Sequence, residues 1–289
     1  MTTRTTATRP AEVGGERKSP GRILAEAVAA DGLEASVELD ETITGSLKSF
    51  RRKPRYPARN LLRVVDLSRQ DRRYYWHESA PHPDDPQVDG AAMLREAASR
   101  FHSSPVPELL ATTAWVQVPP DLWTDTDAFQ SFVDSRLVAR LGTAENATII
   151  RGDGGLLSAP GIARLTSPGP FSSTLLRACD EVEQMGATAD GMIINPADYY
   201  AFMSKGSLMA DLDQNGVLIV RTRLVDPGTA IIGDFGHGAQ LFDAGRSVMR
   251  FGQPPPGTFA EPGVALMAQI HERVVVNLPA NFFVVSLHG

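Results

Sequence analysis

Cysteine is nearly absent from this chain. Cys179 is the only one among 289 residues, so no disulfide can close within the chain, and a reducing setting fits. Lysine is almost as scarce, confined to Lys18, Lys48, Lys53 and Lys205, which leaves arginine to carry the positive charge. No segment reaches the ~20 consecutive apolar residues that a membrane helix needs. Residues 1–20 hold no apolar run of the kind a secretory signal requires. The net charge of -6 argues against a generally basic nucleic-acid binder, although a protein lining a genome container need not be basic overall.

Reactive constellations are missing too. There is no Gly-x-Ser-x-Gly elbow and no Walker-type phosphate loop. Gly152-Asp153-Gly154-Gly155 is rich in glycine but follows a helical pattern, so it reads as a turn; a phosphate cradle needs backbone amides at a helix N-terminus. The six histidines, His77, His82, His102, His237, His271 and His288, never pair at the spacing of helical metal ligands. His77 and Glu78 with Asp84 and Asp85 would hold a cation only loosely, because nothing fixes their geometry. His271-Glu272-Arg273 falls at a strand end, where salt bridging is the expected role. No catalytic, cofactor-binding or metal-binding residue is assigned, and the expectation is a structural protein with no cofactor.

What is present is a globular composition, 42% hydrophobic, sufficient for a sizeable core. Residues 1–20 read as a disordered arm. A short helix is expected over 23–30, stopped by Asp31-Gly32, and extended chain over 33–47. Residues 1–48 hold too few apolar groups for a core of their own, so they must lie on the same subunit or a neighbour. Residues 48–73 carry ten basic side chains (Lys48, Arg51, Arg52, Lys53, Arg55, Arg59, Arg63, Arg69, Arg72 and Arg73) against Asp66 and Asp71 only. Such a block binds phosphates, forms a solvated edge, or pairs with acidic neighbours across subunit boundaries; the boundary role is the expectation. Residues 77–112 make a proline-rich excursion whose Met93, Leu94 and Phe101 have no obvious core, which marks an interaction site.

A strand over 114–118 leads to the strongest helix. Thr124 or Asp125 caps it, and Phe129, Phe132, Val133, Leu137 and Leu141 fall on one face at spacings of three and four. Beyond it the signals alternate. A helix is expected over 172–186 with Leu175, Leu176, Cys179 and Val182 inward. Strands follow over 192–194, 217–220 and 230–232. Asn195-Pro196 opens a further helix carrying Tyr199, Phe202 and Met203. Residues 247–251 and 264–276 predict a long antiparallel pair with Val264, Leu266, Ala268 and Ile270 on one face, and 281–287 a last strand.

Four groups of residues resemble the major capsid proteins of tailed phages with the Hong Kong 97-type fold and their cellular relatives, the encapsulins. They are Tyr74-Tyr75-Trp76-His77-Glu78; the run from Thr113-Ala114-Trp115-Val116-Gln117-Val118 to Asp125; Ser135-Arg136-Leu137 with Ile150-Arg151-Gly152-Asp153-Gly154; and, in order, Asp190 to Asp198, Asp226 to Phe235 and His271-Glu272-Arg273. The resemblance covers about residues 48–289. It implies an α+β capsid fold with an N-terminal arm at 1–48 and a first part of a peripheral domain at 49–150, containing the spine helix and an extended loop at about 72–112. An axial α/β domain would occupy 151–239, the peripheral long strands 240–273, and the axial C-terminal strand 274–289.

The resemblance further implies a self-assembling icosahedral shell of pentamers with or without hexamers, and no membrane partner. The leading expectation is an encapsulin-type compartment in the bacterial cytoplasm enclosing cargo protein. The alternative is a phage or prophage major capsid protein in a virion, with double-stranded DNA, portal and scaffold proteins as partners. A more distant alternative is an α/β hydrolytic enzyme. Some family members cross-link subunits through a lysine on the extended loop and an asparagine on the peripheral domain. Residues 72–112 hold no lysine and 246–273 no asparagine, so that cross-link is expected to be absent. Only 48 residues precede the match, which leaves no room for the long scaffolding segment that many phage members carry; a separate scaffold, or none, is expected.

Overall fold

The computed structural model describes residues 18–46, 57–78, 101–119, 121–166, 169–206 and 208–286. The arm over 1–17, the basic residues Lys48, Arg51, Arg52, Lys53 and Arg55, and the tip of the excursion with Met93 and Leu94 lie outside the described residues.

Helix α1 (Pro20–Asp31) begins where Ser19 accepts the Arg22 amide, with Pro20 at the first helical position. Its Leu24, Ala25 and Val28 are buried in a core shared with the spine helix, so residues 18–46 are covered by their own subunit. The spine is α2 (Thr126–Phe132), a π-helical turn at Val133–Leu137 and α3 (Val138–Arg151), running without a break. Asp125 caps it as expected, accepting the Asp127 and Ala128 amides. Phe129, Val133, Leu137 and Leu141 are buried on one face. The helix runs ten residues beyond Leu141 because Ile149 and Ile150 continue the pattern into a second core.

Two five-stranded sheets organise the rest. In the first, β1 (Ser36–Leu39) and β2 (Arg63–Asp66) lie end to end along one edge of β10 (Ala239–Gly252), the former antiparallel and the latter parallel. On its other side β10 pairs with β11 (Ala265–Val276), which pairs with β5 (Leu110–Gln117). The long pair is the one the alternation predicts, but β10 starts earlier than residue 247. A bulge between Asp243 and Ser247 breaks its periodicity, and Gly245 turns there at φ +67°. As expected, Leu266, Ala268 and Ile270 share one buried face.

The second sheet runs β6 (Ala163–Thr166), β12 (Phe282–Ser286), β9 (Thr229–Gly233), β7 (Gly191–Ile194) and β8 (Leu218–Arg221). Both of its faces are buried, and the period of two sorts its residues between them. Met192, Ile194, Ala230, Ile232, Phe283 and Val285 meet helix α4 (Phe171–Gln184) and α6 (Leu208–Gln214). Ile193, Ile231, Phe282 and Val284 meet the end of the spine. Asn195 caps α5 (Pro196–Lys205) by accepting the Ala197 amide, as predicted. One inward expectation fails. Leu176 is 48% exposed, because it lies on the outer side of a helix that covers the sheet with one face only.

The third unit is a ribbon of β3 (Tyr74–Glu78) and β4 (Phe101–Pro105), antiparallel with Glu78 opposite Phe101. A single helical turn, α7 (Phe235–Gly238), joins β9 to β10; Asp190 accepts the Phe235 and Gly236 amides there.

Candidate assembly surface and a buried charge seam

The ribbon carries the segment with no self-contained core. Alternation along β3 sends Tyr75 inward, 5.9 Å from the Phe242 ring, over a small cluster with Val65 and Val275. Tyr74 and Trp76 point the other way and are 63% and 66% exposed. Phe101 sits across the ladder from Glu78, so it shares the face of Tyr74 and Trp76, and it is 40% exposed. Three aromatic rings thus line one outer face of the ribbon that nothing among the described residues covers. Exposed apolar groups of this size, clustered on a protrusion, mark a surface made to be buried by a partner. The ribbon is tied to the residue that follows β11: the Glu78 amide donates to the Asn277 carbonyl at 2.8 Å, and the Asn277 side-chain amide donates to the Trp76 carbonyl at 2.5 Å. His77 does not gather ligands; its Nε2 lies 2.9 Å from Ser104 Oγ. No metal-type cluster occurs among the described residues, and Asp84 and Asp85 lie outside them.

Where described, the basic block is not a phosphate cradle. Arg69 pairs with Asp66 and Arg73 with Asp71, both in the open, and Arg72 donates to Gln240 at 3.3 Å. Arg59 is the exception: it is buried, on a 3₁₀ turn at Ala58–Leu61. Its guanidinium donates to Glu145 Oε1 at 2.9 Å, to Glu272 Oε2 at 3.2 Å and to Asp243 Oδ2. Thr44 donates to the same Glu145 oxygen at 2.8 Å, while Thr42 and the Gly245 amide donate to Asp243 Oδ1 at 2.5 and 2.8 Å. Glu145 and Glu272 are wholly buried. Burial alone would lower the Arg59 pKa, but the charges of Glu145, Asp243 and Glu272 outweigh it and raise it.

This cluster lies between the two main cores. On the spine, Glu145 separates Leu141 of the first core from Ile149 of the second. On β11, Glu272 separates Ile270 from Val274. On β10, Asp243 separates Leu241 from Met249. Three elements therefore change from one core to the other at a carboxylate, and Arg59 ties all three. The salt-bridging role expected for His271-Glu272-Arg273 holds for two of its members. Glu272 binds Arg59 on one face of β11, and Arg273 reaches Asp153 at 3.0 Å on the other. Asp153 belongs to the glycine-rich turn, where Gly154 adopts φ +69°.

No family model matches the chain, and no curated protein matches it. Solved structures do match. A virus-like particle from Pyrococcus furiosus aligns over 84% of this chain and 96% of its own at a TM-score of 0.50 and 16% identity. The capsid of a native GTA particle aligns over 83% of this chain and 93% of its own, with TM-score 0.52 and 16% identity. A structure from Mycobacterium phage Adephagia covers 83% of this chain and 92% of its own at TM-score 0.52 and 14% identity. With the spine helix, the long hairpin, the second buried sheet and the ribbon in the expected order, the chain has the Hong Kong 97-type capsid fold.

Proposed function

We propose that the chain is the subunit of a closed icosahedral shell, and that the ribbon is the segment it lays across its neighbour. The observation that carries this reading is the outer ribbon face with Tyr74, Trp76 and Phe101 exposed, on a fold whose solved examples include capsids and a virus-like particle. Each such ring gains about 25 cal/mol per Å² of apolar surface only when another subunit covers it. In this reading the first sheet and the spine form the peripheral domain, and the second sheet with α4, α5 and α6 forms the axial one, with boundaries at 49–150, 151–239, 240–273 and 274–289. The role is structural rather than enzymatic, so the distant alternative of a hydrolytic enzyme is set aside.

For the contents of the shell, the encapsulin-type reading is kept: a cytoplasmic compartment enclosing cargo protein. Its support is the internal pairing of Arg59, Arg69 and Arg73 with carboxylates, which leaves those arginines little charge to offer phosphates. The phage alternative, a virion shell around double-stranded DNA, is favoured by the likeness to phage capsids. The test is the full chain expressed alone and examined by light scattering with ultraviolet absorbance. Megadalton particles with little nucleic acid support the compartment reading. Particles loaded with nucleic acid that salt removes favour the phage one. A stable 31.2 kDa monomer across salt conditions contradicts both.

A further inference from the structure

The charge seam does not balance. Arg59 brings one positive charge to three carboxylates, and the cluster is at most 6% exposed at any member. Two unneutralised negative charges at this depth would carry a severe desolvation cost. The hydrogen bonds do not balance either. Glu145 Oε1 and Glu272 Oε2 accept from Arg59, but their second oxygens, Glu145 Oε2 and Glu272 Oε1, have no donor among the described residues. Both carboxyl groups accept from the same guanidinium nitrogen, Arg59 Nη1, at 2.9 and 3.2 Å, so they lie side by side. Two carboxylates facing one another cannot bond, since each only accepts; a carboxylic acid facing a carboxylate can.

We propose that Glu145 and Glu272 share a single proton, which latches the two cores of the subunit together across the seam. That one proton satisfies both orphan oxygens and removes one of the two excess charges. The charged groups that face Glu272 are Glu145 from the spine, Arg59 from the turn at Ala58–Leu61 and Asp243 from β10. His271 and Arg273 alternate to the opposite side of β11. Asp243 is satisfied separately by Arg59, Thr42 and the Gly245 amide, which leaves the proton to the two glutamates. Burial first, then the Glu145 charge, raises the Glu272 pKa well above the usual carboxylate range, against the pull of Arg59. A carboxyl whose folded pKa is raised stabilises the fold fully below its unfolded pKa, and that stabilisation is lost as pH rises through the raised value. The latch therefore holds at neutral pH and opens in alkali. It lies inside one subunit, so the inference stands whether or not shells form.

Glu272→Gln and Glu145→Gln each test it, because a glutamine amide donates permanently where the proton would sit and its carbonyl still accepts from Arg59. The measurement is the thermal midpoint of the full chain from neutral to alkaline pH, beside the infrared carboxylic-acid band of chain with ¹³C-labelled glutamate. The expected result is a midpoint that falls with rising pH in the unaltered chain and falls much less in either variant. The neutral midpoint should be preserved in both variants, and a buried acid band should be present at neutral pH and lost in each. Parallel pH curves for all three chains would overturn the proposal. So would the absence of an acid band in the unaltered chain, which decides the matter even if a variant does not fold.

Discussion

At the scale of single residues, Arg59 is the side chain on which the most depends. It is ion-paired with Glu145, Asp243 and Glu272 at once, and removing one partner of a buried charge network leaves the others uncompensated. Arg59→Ala should cost about 3–5 kcal/mol of stability, read as a lower midpoint in a denaturant titration. A loss below about 1 kcal/mol, the scale of an exposed pair, would show that the seam is hydrated. Nothing in the order of residues announces this role. The partners of Arg59 lie 86, 184 and 213 positions away, and Arg59 sits within a run of arginines that reads as surface. Glu272 was legible as a salt-bridging residue, because an ionisable group in an apolar strand needs a partner, but its partner was not. Asp125 and Asn195 were legible as caps because capping is local, acting within three residues.

At the scale of elements, the spine helix and the long hairpin were readable because one face of each is buried and the period shows. The start of β10 was not, since the bulge at Asp243–Ser247 interrupts the alternation. Nor was β2, a four-residue strand whose pairing with β10 is entirely long-range. The seating of α1 on the spine was equally hidden. Gly21 is buried against the Gln130 carbonyl, its amide donates to Asp134 at 2.7 Å, and a Cβ there would lie 2.8 Å from the Asp134 carboxyl. Gly21→Ala should therefore push α1 off the spine at a cost of about 1–3 kcal/mol, visible as faster amide exchange over α1. Unchanged protection would contradict this packing. The ribbon makes the opposite kind of prediction. Tyr74 and Trp76 are exposed, so Tyr74→Ser with Trp76→Ser should leave the subunit's circular dichroism and melting nearly unchanged while abolishing assembly. Normal particles from that double variant would remove the ribbon from the assembly surface.

At the scale of the whole molecule, the order of elements was the most informative property of the chain. Each local pattern is common, but spine, alternating strands and long hairpin in this succession describe one architecture, and solved capsid structures share it at 14–16% identity. Sequence likeness this faint preserves burial pattern and little else, which explains why the fold is readable while the contents of the shell are not. Association should be entirely non-covalent, because residues 72–112 offer no lysine and 246–273 no asparagine for the cross-link. Boiling in detergent should give one band at the 31.2 kDa subunit mass, and a ladder resistant to detergent and reductant would refute this. The most direct measurement of the central claim is electron cryomicroscopy of the purified full chain. The expected result is closed icosahedral shells in which the face bearing Tyr74, Trp76 and Phe101 is covered by an adjacent subunit. Monomers, or shells that leave those three rings in solvent, would contradict it.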